Sequence, residues 1–164
     1  MRRVALLSVG LLALAGCAPL EPYAPEANYI VTGECPGVEV IVNYGSMDKR
    51  KAMCVESSEP MLAKELLAEG GVKVEGTIEY GDQIVCRVNG LPSATTEILV
   101  SGQEPYIETC AKMPPAFAYW GVWVKADSSA DWQYAKEGIG TLMLEPGQSI
   151  GLAFATGGVE RRPN

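Results

Sequence analysis

The chain has 164 residues, a formal charge of −7 and no histidine. A length of this order fits one domain plus targeting segments, and 48% apolar with 20% charged residues suits a packed core rather than disorder. The acidic balance argues against nucleic acid as a partner, and the missing imidazole removes Ser-His-Asp and Cys-His catalysis together with the commonest metal ligand.

Residues 1–16 read as an export signal. Arg2-Arg3 supplies the positive start, and residues 4–14 form an apolar run too short to span a bilayer. The run ends in Leu14-Ala15-Gly16-Cys17, which resembles the lipobox of bacterial lipoproteins. That resemblance implies that Cys17 is acylated, starts the mature chain and is held by its lipid on the extracytoplasmic face of the cell membrane. An ordinary signal peptide ending in a chance cysteine is the weaker alternative. A tether over 17–33 follows, where Pro19, Pro22 and Pro25 recur among Ala and Glu and favour an extended spacer.

The folded domain is expected over 34–156. Val38-Glu39-Val40-Ile41-Val42-Asn43-Tyr44 is rich in β-branched residues and reads as a buried strand, with Ala52-Met53-Cys54-Val55 as its return. Lys49-Arg50-Lys51 between them reads as a solvated hairpin tip. A helix is expected next, with Ser57 or Ser58 as N-cap, Glu59 and Pro60 in the first turn, and Gly70-Gly71 as the stop. Leu62, Ala63, Leu66 and Leu67 give it an apolar stripe. Residues 72–80 alternate with period two and read as one strand, turned by Gly81-Asp82 into Ile84-Val85-Cys86-Arg87-Val88. Asn89-Gly90 is a strong tight-turn dipeptide. Ile98-Leu99-Val100 reads as a short edge strand within an otherwise polar stretch.

Ala118-Tyr119-Trp120-Gly121-Val122-Trp123-Val124 is the stretch around which the domain is organised. As a strand it points Tyr119, Gly121 and Trp123 to one side and Trp120, Val122 and Val124 to the other, so both sides carry an aromatic. Trp132-Gln133-Tyr134 adds two further rings, and residues 149–154 read as the last strand after a Pro146-Gly147 turn. Residues 157–164 read as a frayed tail.

Beyond Cys17 there are four cysteines, Cys35, Cys54, Cys86 and Cys110. In an oxidising compartment an even count is most simply two disulfides, and four cysteines allow three pairings. Cys35–Cys54 with Cys86–Cys110 is favoured because each pair brackets one compact segment. A thiolate metal site lacks a CxxC pair and any histidine.

Two strands, one helix and then several strands make an α+β plan, a β-grasp-like fold with one helix packed on a mostly antiparallel sheet and two disulfides. Val85-Cys86-Arg87-Val88-Asn89-Gly90-Leu91-Pro92, Cys110, Pro114-Pro115-Ala116, Ala118-Tyr119-Trp120, Trp123, Trp132-Gln133-Tyr134 and Pro146-Gly147 before Ile150 together resemble a family of uncharacterised exported Gram-positive proteins. That family is similar to the C-terminal domain of transcobalamin and intrinsic factor, a β-grasp of the soluble-ligand-binding kind. The resemblance covers about residues 35–156 and implies the Cys86–Cys110 bridge, a ligand-binding role without assigned activity, and capture of a vitamin-like molecule for a transporter partner. The chain departs from the family pattern in a long segment over 93–106, and in Val124, where relatives often carry histidine. The second departure speaks against a metal or axial-ligand role.

Tyr119, Trp123, Trp132 and Tyr134 are therefore the candidate ligand-binding aromatics, with Arg87 as a candidate partner for an anionic ligand group. The blander alternative is that the rings fill the core and Arg87 pairs with an acid. Trp120 is the ring expected inside, Trp123 and Trp132 the ones expected exposed. The carboxylate pairs Glu75/Glu79 and Asp127/Asp131 have no cleft signal around them, and no phosphate loop or nucleophile motif is present. The expectation is a non-catalytic, lipid-anchored binding module without cofactor. A structural or protein-interaction lipoprotein is the alternative.

Overall fold

The computed structural model describes residues 35–163; the export signal over 1–16, the lipidation site Cys17 and the tether over 17–33 lie outside the described residues. The elements in chain order are β1 (Val38–Asn43), β2 (Lys51–Val55), β3 (Met61–Leu62), α1 (Ala63–Glu69), β4 (Val74–Thr77), β5 (Gly81–Val88), β6 (Ala118–Lys125), β7 (Gln133–Tyr134), β8 (Met143–Leu144) and β9 (Ser149–Thr156). Five strands form the main sheet in the order β2-β1-β9-β6-β7, and β3–β8 and β4–β5 make separate pairs. The pairings are antiparallel except for β1 with β9, which run parallel. The described residues thus form a sheet-dominated α+β fold with one short helix, and its disulfides are Cys35–Cys54 and Cys86–Cys110. Among the described residues no helix is long and apolar enough to cross a membrane.

β9 lies in the middle of the sheet and its sequence explains both layers. Ile150, Leu152 and Phe154 alternate with Ser149, Gly151, Ala153 and Ala155, so one side of the strand is large and the other small. The large side joins Val38, Val40 and Val42 of β1, Trp120 of β6, and Ala63, Leu66 and Leu67 of α1 in the main core. The small side faces a second, aromatic cluster made of Ile41, Trp123, Trp132 and Ala153.

The helix begins later than the sequence suggests. Met61 and Leu62 pair with Leu144 and Met143, and the first helical amides are satisfied by distant carbonyls: Ala63 N–H donates to Leu142 O at 2.8 Å and Lys64 N–H to Ile139 O at 3.0 Å. Ser57 spends its hydroxyl within its own turn, on the main chain of Glu59, and no side chain caps the helix. The stop does fall at Gly70-Gly71, with Gly71 at φ +70°.

Residues 72–80 are not one strand. β4 ends at Thr77 because the chain turns away there, with Ile78 N–H donating to Cys110 O at 2.7 Å and Glu79 N–H to Ala111 O at 3.2 Å. The turn falls on residues 78–80, and Gly81, at φ +54°, closes it as the first residue of β5. Gly76 passes so close to it that a Cβ would stand 2.3 Å from the Gly81 carbonyl oxygen. Asn89-Gly90 forms the expected tight turn, both residues at positive φ (51° and 75°). Ile98 makes a single bridge to Tyr106 instead of a strand.

The tail is also corrected. Residues up to Pro163 fold back over the small side of the sheet: Asn43 Nδ2 donates to Arg162 O at 3.2 Å, Arg50 Nε donates to Pro163 O at 3.1 Å, and Pro163 is buried against Gly151. A Cβ on Gly151 would lie 2.1 Å from the proline ring. Gly151→Ala is therefore expected to lift the tail, destabilise the domain by about 1–3 kcal/mol through overpacking, and speed tryptic cleavage after Arg161 several-fold. A cleavage rate unchanged from the parent would contradict this packing.

Candidate functional site

β6 sorts its rings by alternation, as its sequence requires. Trp120 enters the main core, edge-on to Tyr44 at 5.7 Å and tilted against Phe154 at 5.4 Å, with its Nε1–H donated to Leu91 O at 3.0 Å. Tyr119, Gly121 and Trp123 face the other way. There the exposure expected for Trp123 and Trp132 is overturned: the first is 1% exposed and the second 6%. The cause lies in glycines on two strands. Trp123 lies over Gly121, where a Cβ would meet the indole nitrogen at 2.9 Å, and Trp132 lies over Gly151, where a Cβ would meet its ring at 3.1 Å. A sheet surface without side chains lets flat rings settle directly on the backbone, and Tyr134 then stacks on Trp123 with centroids 3.8 Å apart and planes 24° apart. The Trp123 Nε1–H has no hydrogen-bond partner among the described residues.

Of the four expected ligand-binding rings, two remain accessible together. Tyr134 is 43% exposed and its hydroxyl meets that of Tyr119 at 3.0 Å. Burial, followed by this contact, raises the Tyr134 pKa, so the Tyr134 phenol is neutral at physiological pH.

Arg87 lies elsewhere, buried on β5. Its guanidinium donates to Pro92 O at 3.0 Å, to Glu108 O, to Glu75 Oε2 at 3.1 Å and to Cys110 Sγ at 2.9 Å. These internal acceptors take up the group, which is the acid-pairing alternative rather than the anion-binding one. Pro92 and Glu108 flank the long segment over 93–106, so one buried cation ties the two ends of that loop together. Glu108 completes the bracket: its carboxylate accepts from Tyr106 Oη at 2.8 Å and from Cys110 N–H at 2.6 Å. Donor atoms of Glu75, Cys86 and Cys110 lie within 4.8 Å of one another, but both sulfurs belong to the disulfide and are not free to bind a metal as thiolates.

Glu75 faces Arg87 while Glu79 sits on the turn after β4. Asp127 accepts three hydrogen bonds from Ser129 and Ala130 within its own turn, and those from Ser129 are the main reason its pKa is lowered.

Two concavities escape sequence reading because distant segments build them. One, of about 510 Å³, lies between the β1–β2 loop, residues 91–101 and the end of β9, and its lining is hydroxyl-bearing and aliphatic apart from Met47, Glu97 and the buried Phe154. The other, of about 520 Å³, runs along the outer edge of β6. Residues 119–122 form its floor, Gln83, Ile84 and Val85 one wall, and residues 134–138 the other, with Tyr80 at the rim. Tyr80 is 42% exposed, so three tyrosines share this groove. It is the candidate site: aromatic faces, phenolic hydroxyls, the Gln83 amide and the charges of Lys136 and Glu137 can hold a ligand, while no group is placed as a nucleophile with its base.

Burial and the Glu108 carboxylate push the Tyr106 pKa up from 10.0 to about 12. The neutral phenol is the form the fold favours, so its contribution is fully present below pH 10 and is lost as pH rises through about 12. The urea midpoint is expected to fall across that window, and Tyr106→Phe should be less stable at neutral pH but flatter above pH 10; parallel profiles would refute the assignment. Comparison of the chain with protein-family models, with curated proteins and with solved structures found no match.

Proposed function

We propose that this protein is a lipoprotein held by acylated Cys17 on the extracytoplasmic face of the cell membrane, and that it presents a non-catalytic binding module beyond the tether over 17–33. The tyrosine-lined groove on β6 is the observation that carries the reading. Accessible aromatic faces beside phenolic hydroxyls suit a flat or cyclic molecule of vitamin-like size, which the module would pass to a transporter partner. A β-grasp-like topology is supported by the strand order: an opening hairpin, a helix on one side of the sheet, and the last strand inserted parallel to the first. The second reading, a protein-interaction lipoprotein of the cell envelope, is favoured by the part of the β6 edge that β7 leaves unpaired.

Native mass spectrometry of the protein extracted from its own membranes tests this directly. The expected result is a covalent acyl mass on Cys17 together with a non-covalent mass released on denaturation and lost in Tyr119→Ala and Tyr134→Ala. An unacylated Cys17 would overturn the anchor, and a bare domain, or an adduct indifferent to both tyrosines, would overturn the groove as its seat.

A further inference from the structure

We propose that the ligand of the groove is a flat molecule with a carbonyl-type oxygen on its edge, and that this oxygen accepts the Trp123 Nε1–H above Gly121 once the Tyr134 ring turns aside; this rests on the groove being the binding seat. The indole supplies the first argument. Trp123 is 1% exposed, and among the described residues its Nε1–H is the one buried side-chain donor without a partner. A buried donor left unpaired bears the full cost of its desolvation, which an arriving acceptor removes. Trp120 on the same strand shows that the fold can satisfy such a group, since its own Nε1–H is donated to Leu91 O at 3.0 Å. The stacked Tyr134 ring does not take the Trp123 proton. An indole N–H lies in the plane of its ring, and with the two planes 24° apart it runs beside the tyrosine face rather than into it.

The position of that nitrogen supplies the second argument. Gly121 belongs to the floor of the groove, and a Cβ there would stand 2.9 Å from Trp123 Nε1 and 3.1 Å from Tyr134 Cε1. The donor and the tyrosine ring therefore meet over a point where the backbone carries no side chain, and an oxygen can reach the nitrogen there when Tyr134 yields. Tyr134 is placed to yield: it stands on the two-residue β7, is 43% exposed, and its hydroxyl is held by that of Tyr119 at 3.0 Å. Rotation about its χ1 moves the ring while the β7 main chain stays paired with Trp123 and Val124. Tyr119, on the same side of β6, and the displaced ring then cover the flat faces of the ligand. Lys136 and Glu137 balance in the lining, so the acceptor selects the ligand and its net charge does not. Ring carbonyls, amides and imides of conjugated molecules meet this requirement.

A ¹⁵N NMR titration of the mature chain carrying Cys17→Ser, followed at the indole N–H signals, tests this. The probes are 2-naphthamide and 2-naphthylmethylammonium, one flat ring bearing either a carbonyl or donors alone. The amide is expected to move the Trp123 indole proton downfield, to leave that of Trp120 in place, and to shift main-chain amides of residues 119–122 and 134–138. The ammonium should bind about tenfold more weakly. Trp123→Phe keeps a flat ring and deletes the N–H, and should bring the two probes to equal affinity; the shift in the parent chain decides the matter if that variant does not fold. Equal binding of both probes to the parent, amide binding that leaves the Trp123 signal unmoved, or no binding of 2-naphthamide would overturn the proposal. A native adduct that depends on Tyr119 and Tyr134, beside an unmoved Trp123 signal, would sink the acceptor proposal and leave the groove as the seat. With no such adduct and no shift along the groove, both readings fail.

Discussion

The alternation of large and small residues on β9 is the constraint on which the rest of the domain depends. Ile150, Leu152 and Phe154 stand on one side of the central strand and bury against β1, β6 and α1, each contributing about 1.5–3 kcal/mol of apolar transfer. Ser149, Gly151, Ala153 and Ala155 stand on the other and leave a shelf only as tall as the backbone. Trp123 and Trp132 can occupy that shelf because nothing larger competes for it, and Pro163 closes it from above. Tyr134, stacked on Trp123, is then carried to the edge of the sheet beside Tyr119. The groove is thus a consequence of which side of β9 was left small.

A second constraint holds the less regular half of the chain. Only a few residues between β5 and β6 make ladder contacts, yet the segment is fixed at both ends. Arg87 takes carbonyls from Pro92 and Glu108, Trp120 holds Leu91, and the Cys86–Cys110 bridge closes the same span. The bridge limits the unfolded chain by about 3 kcal/mol on the loop-entropy estimate. The buried guanidinium acts in the folded state, where it satisfies carbonyls that a long loop would otherwise leave without partners. Together they let a 93–106 excursion be carried without a core of its own, and they keep the Cys110 end of that excursion against the turn that bears Tyr80.

Features governed by neighbours in sequence were legible from it. The Asn89-Gly90 turn, the Gly70-Gly71 stop, the buried strand of Val38, Val40 and Val42, the division of Trp120 from Trp123, and both disulfides follow from local chemistry or short spacing. What was missed depends on residues far away. The helix start moved because residues 139–144 supply the partners of residues 61–64. Trp132 is buried because it lies over Gly151, where Pro163 also packs, and neither neighbour can be assigned from spacing. The tail is ordered because Asn43 and Arg50 hold its carbonyls across more than a hundred residues of sequence. The groove is the extreme case, since its floor and two walls come from three separate stretches of chain.

Acrylamide quenching of tryptophan emission tests the central claim most directly, because the indoles are assigned to structure and the tyrosines to the exposed edge. With Trp120, Trp123 and Trp132 all buried, the account predicts blue-shifted emission that resists quenching until the domain unfolds. Red-shifted, readily quenched emission from the folded protein would place an indole in solvent and contradict the layered arrangement from which the groove is derived.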